Sequence, residues 1–419
     1  MNSTAITESS PIRGIKKFCK SLLFKTLDRA QYGSLTITDS EGSYSFFGSE
    51  NTETVKAELE IKDATGYVDM VLGGSIGAGE SYMSGDWVSN NTTDVIRFMS
   101  QNLNVVQQLD SGLALLSKPA QLAYHLRNRN TEKGSRRNIA AHYDLGNEMF
   151  KLFLDPTMMY SSAIFPTPCS TLQEGSTHKL KRICQKLDLK SSDHLVEIGT
   201  GWGGMAVYAA QRYGCRVTTT TISGQQYDYA KEQIQRANVG HLVTLLKEDY
   251  RNLTGKYDKL VSIEMIEAVG HQYYPDYFRT LGTLLKADGL ALIQAITIDD
   301  KRYEKAKNDI DWIQRYIFPG ACLPSIRALT EFSGHHSDLA LTHMEDISPH
   351  YAQTLRLWRE NFFRNLDQVR ALGYNEEFIR MWDYYFCYCE GGFAERIIGD
   401  VQMLFAKPLH RGPSVLGTL

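Results

Sequence analysis

Residues 196–204, Val196-Glu197-Ile198-Gly199-Thr200-Gly201-Trp202-Gly203-Gly204, join a strand-like segment to a helix-like one. Glycines let a backbone turn tightly and approach a ligand, and a helix that begins after Gly204 offers unpaired N–H groups. A turn without any ligand is the alternative, but so many glycines would be a costly way to build one. The stretch therefore predicts a ligand-binding loop.

The segments that flank this loop alternate between strand and helix patterns. Strands are predicted at Leu195–Ile198, Arg216–Ile222, Leu242–Leu246, Lys259–Ile263 and Leu290–Ile298. Helices are predicted at Met205–Tyr213 and Gln225–Ala237. Strands separated by helices indicate a parallel sheet wound on both faces, whose ligands bind at the carboxyl edge. We therefore predict an α/β fold with a doubly wound, mostly parallel sheet.

The glycine spacing alone does not decide the cofactor. It formally matches the G-x-G-x-x-G pattern of dinucleotide enzymes, which is weak evidence by itself. A nicotinamide enzyme would carry an acidic residue at the end of the second strand to hold the ribose diol. That strand ends instead in Thr218-Thr219-Thr220-Thr221-Ile222-Ser223, which disfavours NAD.

A glutamate directly before the first glycine, followed by Gly-x-Gly-x-Gly-Gly, resembles S-adenosylmethionine-dependent methyltransferases. Motifs elsewhere are similar to those of the cyclopropane-fatty-acyl-phospholipid synthase family, which is related to the mycolic acid cyclopropane synthases. These motifs are His142–Asn147, Leu154–Ala163, Thr221–Gln226, Asp249–Arg251, Met265–Gly270 and Tyr316–Ser325. Gly79–Trp87 resembles the small N-terminal domain of the phospholipid enzymes.

The resemblance implies a class I methyltransferase core with a smaller N-terminal α+β accessory domain. We place the accessory, lipid-docking domain at residues 1–115, a basic linker at 116–145 and the catalytic domain at 146–419.

The resemblance also implies the reaction and its cofactor. The family transfers a one-carbon unit from S-adenosylmethionine to the cis double bond of an unsaturated phospholipid acyl chain, and bound bicarbonate then removes a proton to form a cyclopropane. Two alternatives stay open. The same transfer can end in a methyl-branched unsaturated chain without ring closure, or the protein can be a non-catalytic lipid-binding scaffold.

The residues that match the family's functional positions form two sets. The catalytic set, whose positions the resemblance assigns to holding the bicarbonate, is Glu267, Tyr351, Ser162, Gln294 and Ile296. Ser162 stands where the family has cysteine, and Gln294 and Ala268 stand where it has histidine, so the identity of the base is open. The cofactor-binding set is Tyr160, Ser161, Glu197, Gly199, Gly201, Gly203, Thr221, Ile222, Gln226, Asp249 and Tyr250.

Composition limits the possible partners. The chain has 419 residues, of which 42% are hydrophobic and 22% charged, which favours two or three globular domains. A net charge of −3 gives no general attraction to nucleic acid, and none is predicted as a partner. Seven scattered cysteines without a C-x-x-C pair favour reduced thiols in the cytoplasm, and no metal site is predicted.

Two basic segments are candidates for membrane contact. Ile15–Leu27 predicts an amphipathic helix with four lysines, and five basic residues lie between Arg127 and Arg137. Both can bind anionic lipid, and the alternatives are a helix docked on its own domain and an ordinary linker. No segment approaches the ~20 apolar residues that a spanning helix needs. We expect a cytoplasmic enzyme that is peripherally associated with the inner face of the cell membrane, and the resemblance allows a homodimer.

Overall fold

The computed structural model describes residues 12–50, 55–107, 130–132, 134–135, 138, 146–413 and 415. These residues form two compact units. The first contains the described residues of 1–123 together with Gly373–Glu395, and the second contains those of 124–372 and 396–419. In the described parts of the chain, no helix has the length and apolar content to cross a bilayer.

The first unit is an α+β structure. Its strands are β1 (Ser34–Asp39), β2 (Gly42–Phe47), β3 (Lys56–Ile61) and β4 (Trp87–Val88), in the sheet order β2-β1-β3-β4. Its helices include α1 (Gly14–Leu27), α2 (Thr65–Ser84) and α3 (Thr92–Gln101). Every second residue of β3 is buried, as expected for a strand with one covered face.

The second unit is built on a seven-stranded sheet. Its strands are β5 (His194–Ile198), β6 (Arg216–Thr220), β7 (Val243–Leu246), β8 (Tyr257–Ile263), β9 (Leu285–Ile298), β10 (Ala340–Asp346) and β11 (Ile398–Ala406). The order is β10-β11-β9-β8-β5-β6-β7. Strands β5 to β9 pair in parallel, and β11 runs antiparallel to both β9 and β10. This arrangement confirms the predicted doubly wound, mostly parallel sheet.

Helices and short 3-10 turns connect these strands. The helices are α4 (Asn147–Lys151), α5 (Leu172–Lys186), α6 (Gly204–Tyr213), α7 (Gly224–Arg236), α8 (Tyr274–Leu284), α9 (Asp300–Ala306), α10 (Trp312–Tyr316), α11 (Ile326–His336), α12 (Ser348–Arg364) and α13 (Leu366–Ala371). The 3-10 turns are Tyr250–Asn252, Ile266–Ala268 and His271–Tyr273. Strand β5 lies between β6 and β8, so the chain changes direction across the sheet beside it, which is where open α/β sheets bind ligands.

One helix belongs to a different unit from the one that the predicted domain boundaries give it. Helix α14 (Glu376–Ala394) lies within 146–419 in the sequence, but it belongs to the first unit. The hydroxyl of Tyr82 donates to the Asp383 carboxylate at 2.5 Å, and the Arg97 guanidinium pairs with Glu395 at 2.7 Å. The aromatic side chains of this helix are largely buried, so they form core.

Candidate active site

The glycine loop lies at the carboxyl end of β5. Gly199, Gly201 and Gly203 have φ angles of +96°, +52° and +93°, a region that side chains other than glycine rarely adopt. Glu197 precedes the loop within β5, and its carboxylate accepts a hydrogen bond of 2.6 Å from the Thr219 hydroxyl. Burial raises the pKa of Glu197 to about 8. The loop therefore has the strand–turn–helix context that the sequence predicts for a ligand site.

Glycine is also required where the loop enters α6. A Cβ atom on Gly204 would lie 2.7 Å from the carbonyl oxygen of Thr157 and 2.8 Å from the sulfur of Met159. The backbone of the predicted cofactor segment around Tyr160 therefore approaches the loop closely.

Several predicted cofactor residues lie after the next two strands. The Thr221 hydroxyl donates to the Gln226 side-chain oxygen at 2.9 Å, and both residues are buried, whereas Ile222 between them is half-buried. The Asp249 carboxylate accepts from the Arg251 backbone N–H at 3.1 Å and from its guanidinium Nη2 at 2.7 Å. The buried hydroxyl of Tyr250 has no hydrogen-bond partner among the described residues. Buried polar groups are ordinarily paired, so this hydroxyl is available to a ligand.

Tyr160 and Ser161 lie in the segment that faces the loop. The ring of Tyr160 lies in a cluster with Phe150, Phe153, Trp202, Phe318 and Trp358. The Ser161 hydroxyl accepts a hydrogen bond of 2.5 Å from the ammonium of Lys179, which is fully buried. The His142–Leu145 part of the predicted motif lies outside the described residues.

Three of the predicted catalytic residues converge on the carboxyl group of Glu264, which is not among the predicted site residues. The Ser162 backbone N–H and the Gln294 amide both donate to Oε1 of Glu264 at 2.8 Å, and the Tyr351 hydroxyl donates to its Oε2 at 2.7 Å. We call Ser162, Gln294 and Tyr351 the donor cluster. The hydroxyl of Ser162, the side chain that replaces the family's cysteine, donates instead to the Ala163 carbonyl at 3.0 Å.

Glu264 has an unusual backbone. It follows the last residue of β8 and has a φ of +47°, and its N–H donates to the Gln294 carbonyl at 2.8 Å. A glutamate in the left-handed region is strained, and strained residues persist where the surrounding structure holds them, often at active sites. This conformation lets the carboxylate meet the donor cluster.

Glu267 binds a different predicted residue. Its Oε1 accepts the Ile296 backbone N–H at 2.5 Å, while its buried Oε2 has no partner among the described residues. Burial, followed by the negative charge of Glu264, raises the pKa of Glu267 to about 8.

A third buried carboxyl, Asp400 on β11, joins the site. Gln294 donates to it at 3.2 Å and accepts from the Gln402 amide at 2.9 Å. Burial and the charges of Glu264 and Glu267 raise the pKa of Asp400 well above its usual value. Burial also raises the pKa of Glu264, against the opposing charge of Lys179 and the bonds from Tyr351, Ser162 and Gln294. Buried carboxyls close to one another disfavour each other's charged forms, so the site favours proton binding.

No set of three or more His, Cys, Asp or Glu residues suited to a metal ion occurs among the residues that the structure describes.

Residues 130–403 match the family model described as mycolic acid cyclopropane synthetase. The chain belongs to this family. It is 40% identical to a tuberculostearic acid methyltransferase of Mycobacterium tuberculosis over 76% of each chain. It is also 35% identical to the cyclopropane-fatty-acyl-phospholipid synthase of Escherichia coli, over 85% of this chain and 89% of that enzyme.

The crystal structure of a relative has the same fold. The crystal structure of a mycolic acid cyclopropane synthase complexed with S-adenosylhomocysteine (SAH) has a TM-score of 0.60 and 30% identity, and covers 65% of this chain and 98% of that one. Membership of this family makes the protein an S-adenosylmethionine-dependent methyltransferase. The glycine loop and the unpartnered Tyr250 hydroxyl fit this cofactor.

Proposed function

We propose that this member of the cyclopropane synthase family methylates the cis double bond of an unsaturated acyl chain in a membrane phospholipid, and that its product is a methyl-branched alkene. The observation that supports this product is the Glu264 carboxylate bound by the donor cluster. The residues proposed to hold the cofactor are those of the glycine loop together with Tyr160, Ser161, Glu197, Thr221, Ile222, Gln226, Asp249 and Tyr250.

When bound, S-adenosylmethionine supplies an electrophilic methyl group, whose transfer to one alkene carbon leaves a carbocation on the acyl chain. A basic group of the enzyme must then accept a proton from the acyl chain. Glu264 is a carboxylate held by three hydrogen bonds, and it has a raised pKa that suits proton uptake. Glu267 and Ile296 are proposed to shape the same site through their mutual bond.

The product depends on which carbon loses the proton. Ring closure in the family relies on a free bicarbonate beside the transferred methyl. Here the donors that the resemblance assigns to bicarbonate already bind Glu264. We propose that no bicarbonate binds and that Glu264 removes a proton from a chain carbon, which leaves an alkene with a methyl branch.

Cyclopropane formation is the second candidate. It is supported by the similarity to the Escherichia coli cyclopropane-fatty-acyl-phospholipid synthase, which spans 89% of that enzyme. In this case Glu264 would take the proton from the transferred methyl. Membership of a methyltransferase family favours either product over the scaffold alternative.

The product distinguishes these candidates. The protein should be expressed in a host that lacks its own cyclopropane synthase, and the fatty acid methyl esters analysed by mass spectrometry. We expect a new species that is heavier by one CH₂, takes up two hydrogens under mild hydrogenation and carries a methyl branch. A species of the same mass that resists mild hydrogenation would instead indicate a cyclopropane.

We also propose that the enzyme binds the inner face of the cell membrane peripherally, through α1. One face of this helix packs in the first unit, where Cys19, Leu23 and Leu27 are buried. The other face exposes 60% of Ile15 and 66% of Phe18, beside the exposed lysine Lys17. Apolar side chains flanked by lysine are typical of helices that lie on anionic lipid. The basic segment Arg127–Arg137 lies largely outside the described residues. The formation of a homodimer stays a prediction.

The double substitution Ile15→Asn and Phe18→Asn is expected to weaken vesicle binding by at least about tenfold. Each large apolar side chain contributes about 1.5–3 kcal/mol when fully buried, and about 1.4 kcal/mol corresponds to tenfold. Sedimentation with anionic phospholipid vesicles measures the change, and wild-type binding should also fall as salt increases. Leu409→Asn is a matched control, because Leu409 is 61% exposed in the second unit. Equal loss in the control, or no loss in the double variant, would exclude α1 as the contact.

A further inference from the structure

Lys179 lies in the middle of α5 and is completely buried. Its ammonium donates to the Ser161 hydroxyl at 2.5 Å. Removing an ammonium from water costs several kcal/mol, so such a group persists where opposite charge or hydrogen bonds compensate it. The buried ammonium of Lys179 therefore needs a nearby negative charge that compensates it.

Three carboxyls act on Lys179, and they differ in how they are already stabilised. The Asp155 carboxylate accepts from the Thr157 backbone N–H at 2.9 Å, from the Thr157 hydroxyl at 2.7 Å and from the Ser176 hydroxyl at 3.0 Å. Burial and the acidic groups around Asp400 raise its pKa, which disfavours its charged form. Of the three carboxyls, Glu264 exerts the largest electrostatic influence on Lys179.

Two adjacent residues, Ser161 and Ser162, connect Lys179 to Glu264. Ser161 accepts from Lys179 through its hydroxyl, and Ser162 donates its backbone N–H to Glu264. The two serines therefore fix the ammonium and the carboxylate relative to one backbone segment. The other titratable groups that act on Glu264 are Tyr351, Glu267 and Asp400. None of these three groups carries a positive charge, whereas Lys179 does.

We propose that Lys179 is a positioning residue that keeps Glu264 ionised, so that this carboxylate can accept the proton released from the acyl chain. The proposal rests on the proposed function of Glu264 as the base. Burial raises the pKa of Glu264, and the charge of Lys179 is the largest influence in the opposite direction. Without the ammonium the pKa of Glu264 rises further. Activity that needs ionised Glu264 is lost as pH falls through that pKa, so the acid limb of the pH profile moves to higher pH.

The test compares Lys179→Met and Lys179→Gln with the wild type. Methionine fills the same space without charge, and glutamine also keeps a donor for Ser161, so a folding failure of one variant leaves the other. Lys407→Met is the matched control, because Lys407 is another buried lysine of the second unit and pairs with Asp338 at 2.5 Å. Circular dichroism and thermal unfolding verify that each variant is folded.

The main readout is an infrared pH titration of the protonated-carboxyl band of Glu264, which is assigned by its loss when Glu264→Gln is added to each variant. We expect the midpoint to rise by about one pH unit or more in both Lys179 variants, which is a tenfold fall in the ratio of ionised to protonated Glu264 at a given pH, and to stay constant in Lys407→Met. The acid limb of labelled-methyl transfer should move in the same direction.

An unchanged Glu264 midpoint in a folded Lys179 variant would overturn this proposal, even if turnover falls. The infrared titration needs no lipid product. A wild type that methylates no phospholipid would therefore count against the proposed function, while the titration would still decide the role of Lys179.

Discussion

Replacing Glu264 by glutamine is expected to reduce the yield of methylated phospholipid by about 100-fold or more, because a positioned general base typically contributes about 10²–10⁴-fold. The amide keeps the shape of the side chain and can still contact the donor cluster, but it cannot accept the proton that the carbocation must lose. The measurement is transfer of label from S-adenosylmethionine to vesicles of unsaturated phospholipid.

Two controls separate this effect from a general loss of function. Binding of SAH, measured by calorimetry, should be unchanged in Glu264→Gln, because the substitution removes no predicted cofactor contact. Glu232→Gln, at an exposed position of α7, should methylate lipid at the wild-type rate. Near-normal turnover in folded Glu264→Gln would show that the base lies elsewhere.

The second large effect is expected at the glycine loop. Gly199 has a φ of +96°, and a Cβ atom there would lie 3.2 Å from Cγ of Met265. A valine therefore combines backbone strain with a close contact, and the loop must move to relieve both. We expect Gly199→Val to weaken SAH binding by at least about 100-fold, or about 2.7 kcal/mol.

Calorimetry measures this affinity, and thermal unfolding verifies that the variant is folded. Gly240→Val is the matched control, because Gly240 is exposed, has no positive φ and would have no neighbouring atom within 4 Å of an added Cβ. Wild-type affinity in folded Gly199→Val would mean that the cofactor does not depend on this loop.

The sequence predicts the sheet because its apolar strands are continuous and each is followed by a turn or helix signal. Strands β5 to β9 occur at or near their predicted positions, and the loop after β5 has the predicted context. Strands β10 and β11 are absent from the prediction. The first of these is largely exposed, so it lacks the apolar run that marks the others.

The centre of the site could not be predicted from the sequence, because it depends on long-range pairing and on one backbone conformation. Glu264 reaches Gln294 because Ile263 pairs with Gln294 between β8 and β9, and because its own φ is positive. Asp400 joins them through the antiparallel pairing of β11, in which it lies opposite Ile296. The N–H of Ser162 lies 102 residues from Glu264 along the chain. Lys179 is missed for another reason, since a lysine within a helix ordinarily predicts an exposed position.

If the Glu264 carboxylate takes the place of a free bicarbonate, wild-type turnover should not depend on bicarbonate. Labelled-methyl transfer should be measured in buffer freed of carbon dioxide, with and without added bicarbonate. Glu264→Gly provides the positive control, because glycine suits the positive φ and its substitution leaves the donor cluster without a carboxylate. We predict equal wild-type rates in both buffers and a Glu264→Gly variant that is inactive until bicarbonate is added. A wild-type enzyme that loses its activity without bicarbonate and regains it on addition would show that Glu264 does not take the place of bicarbonate.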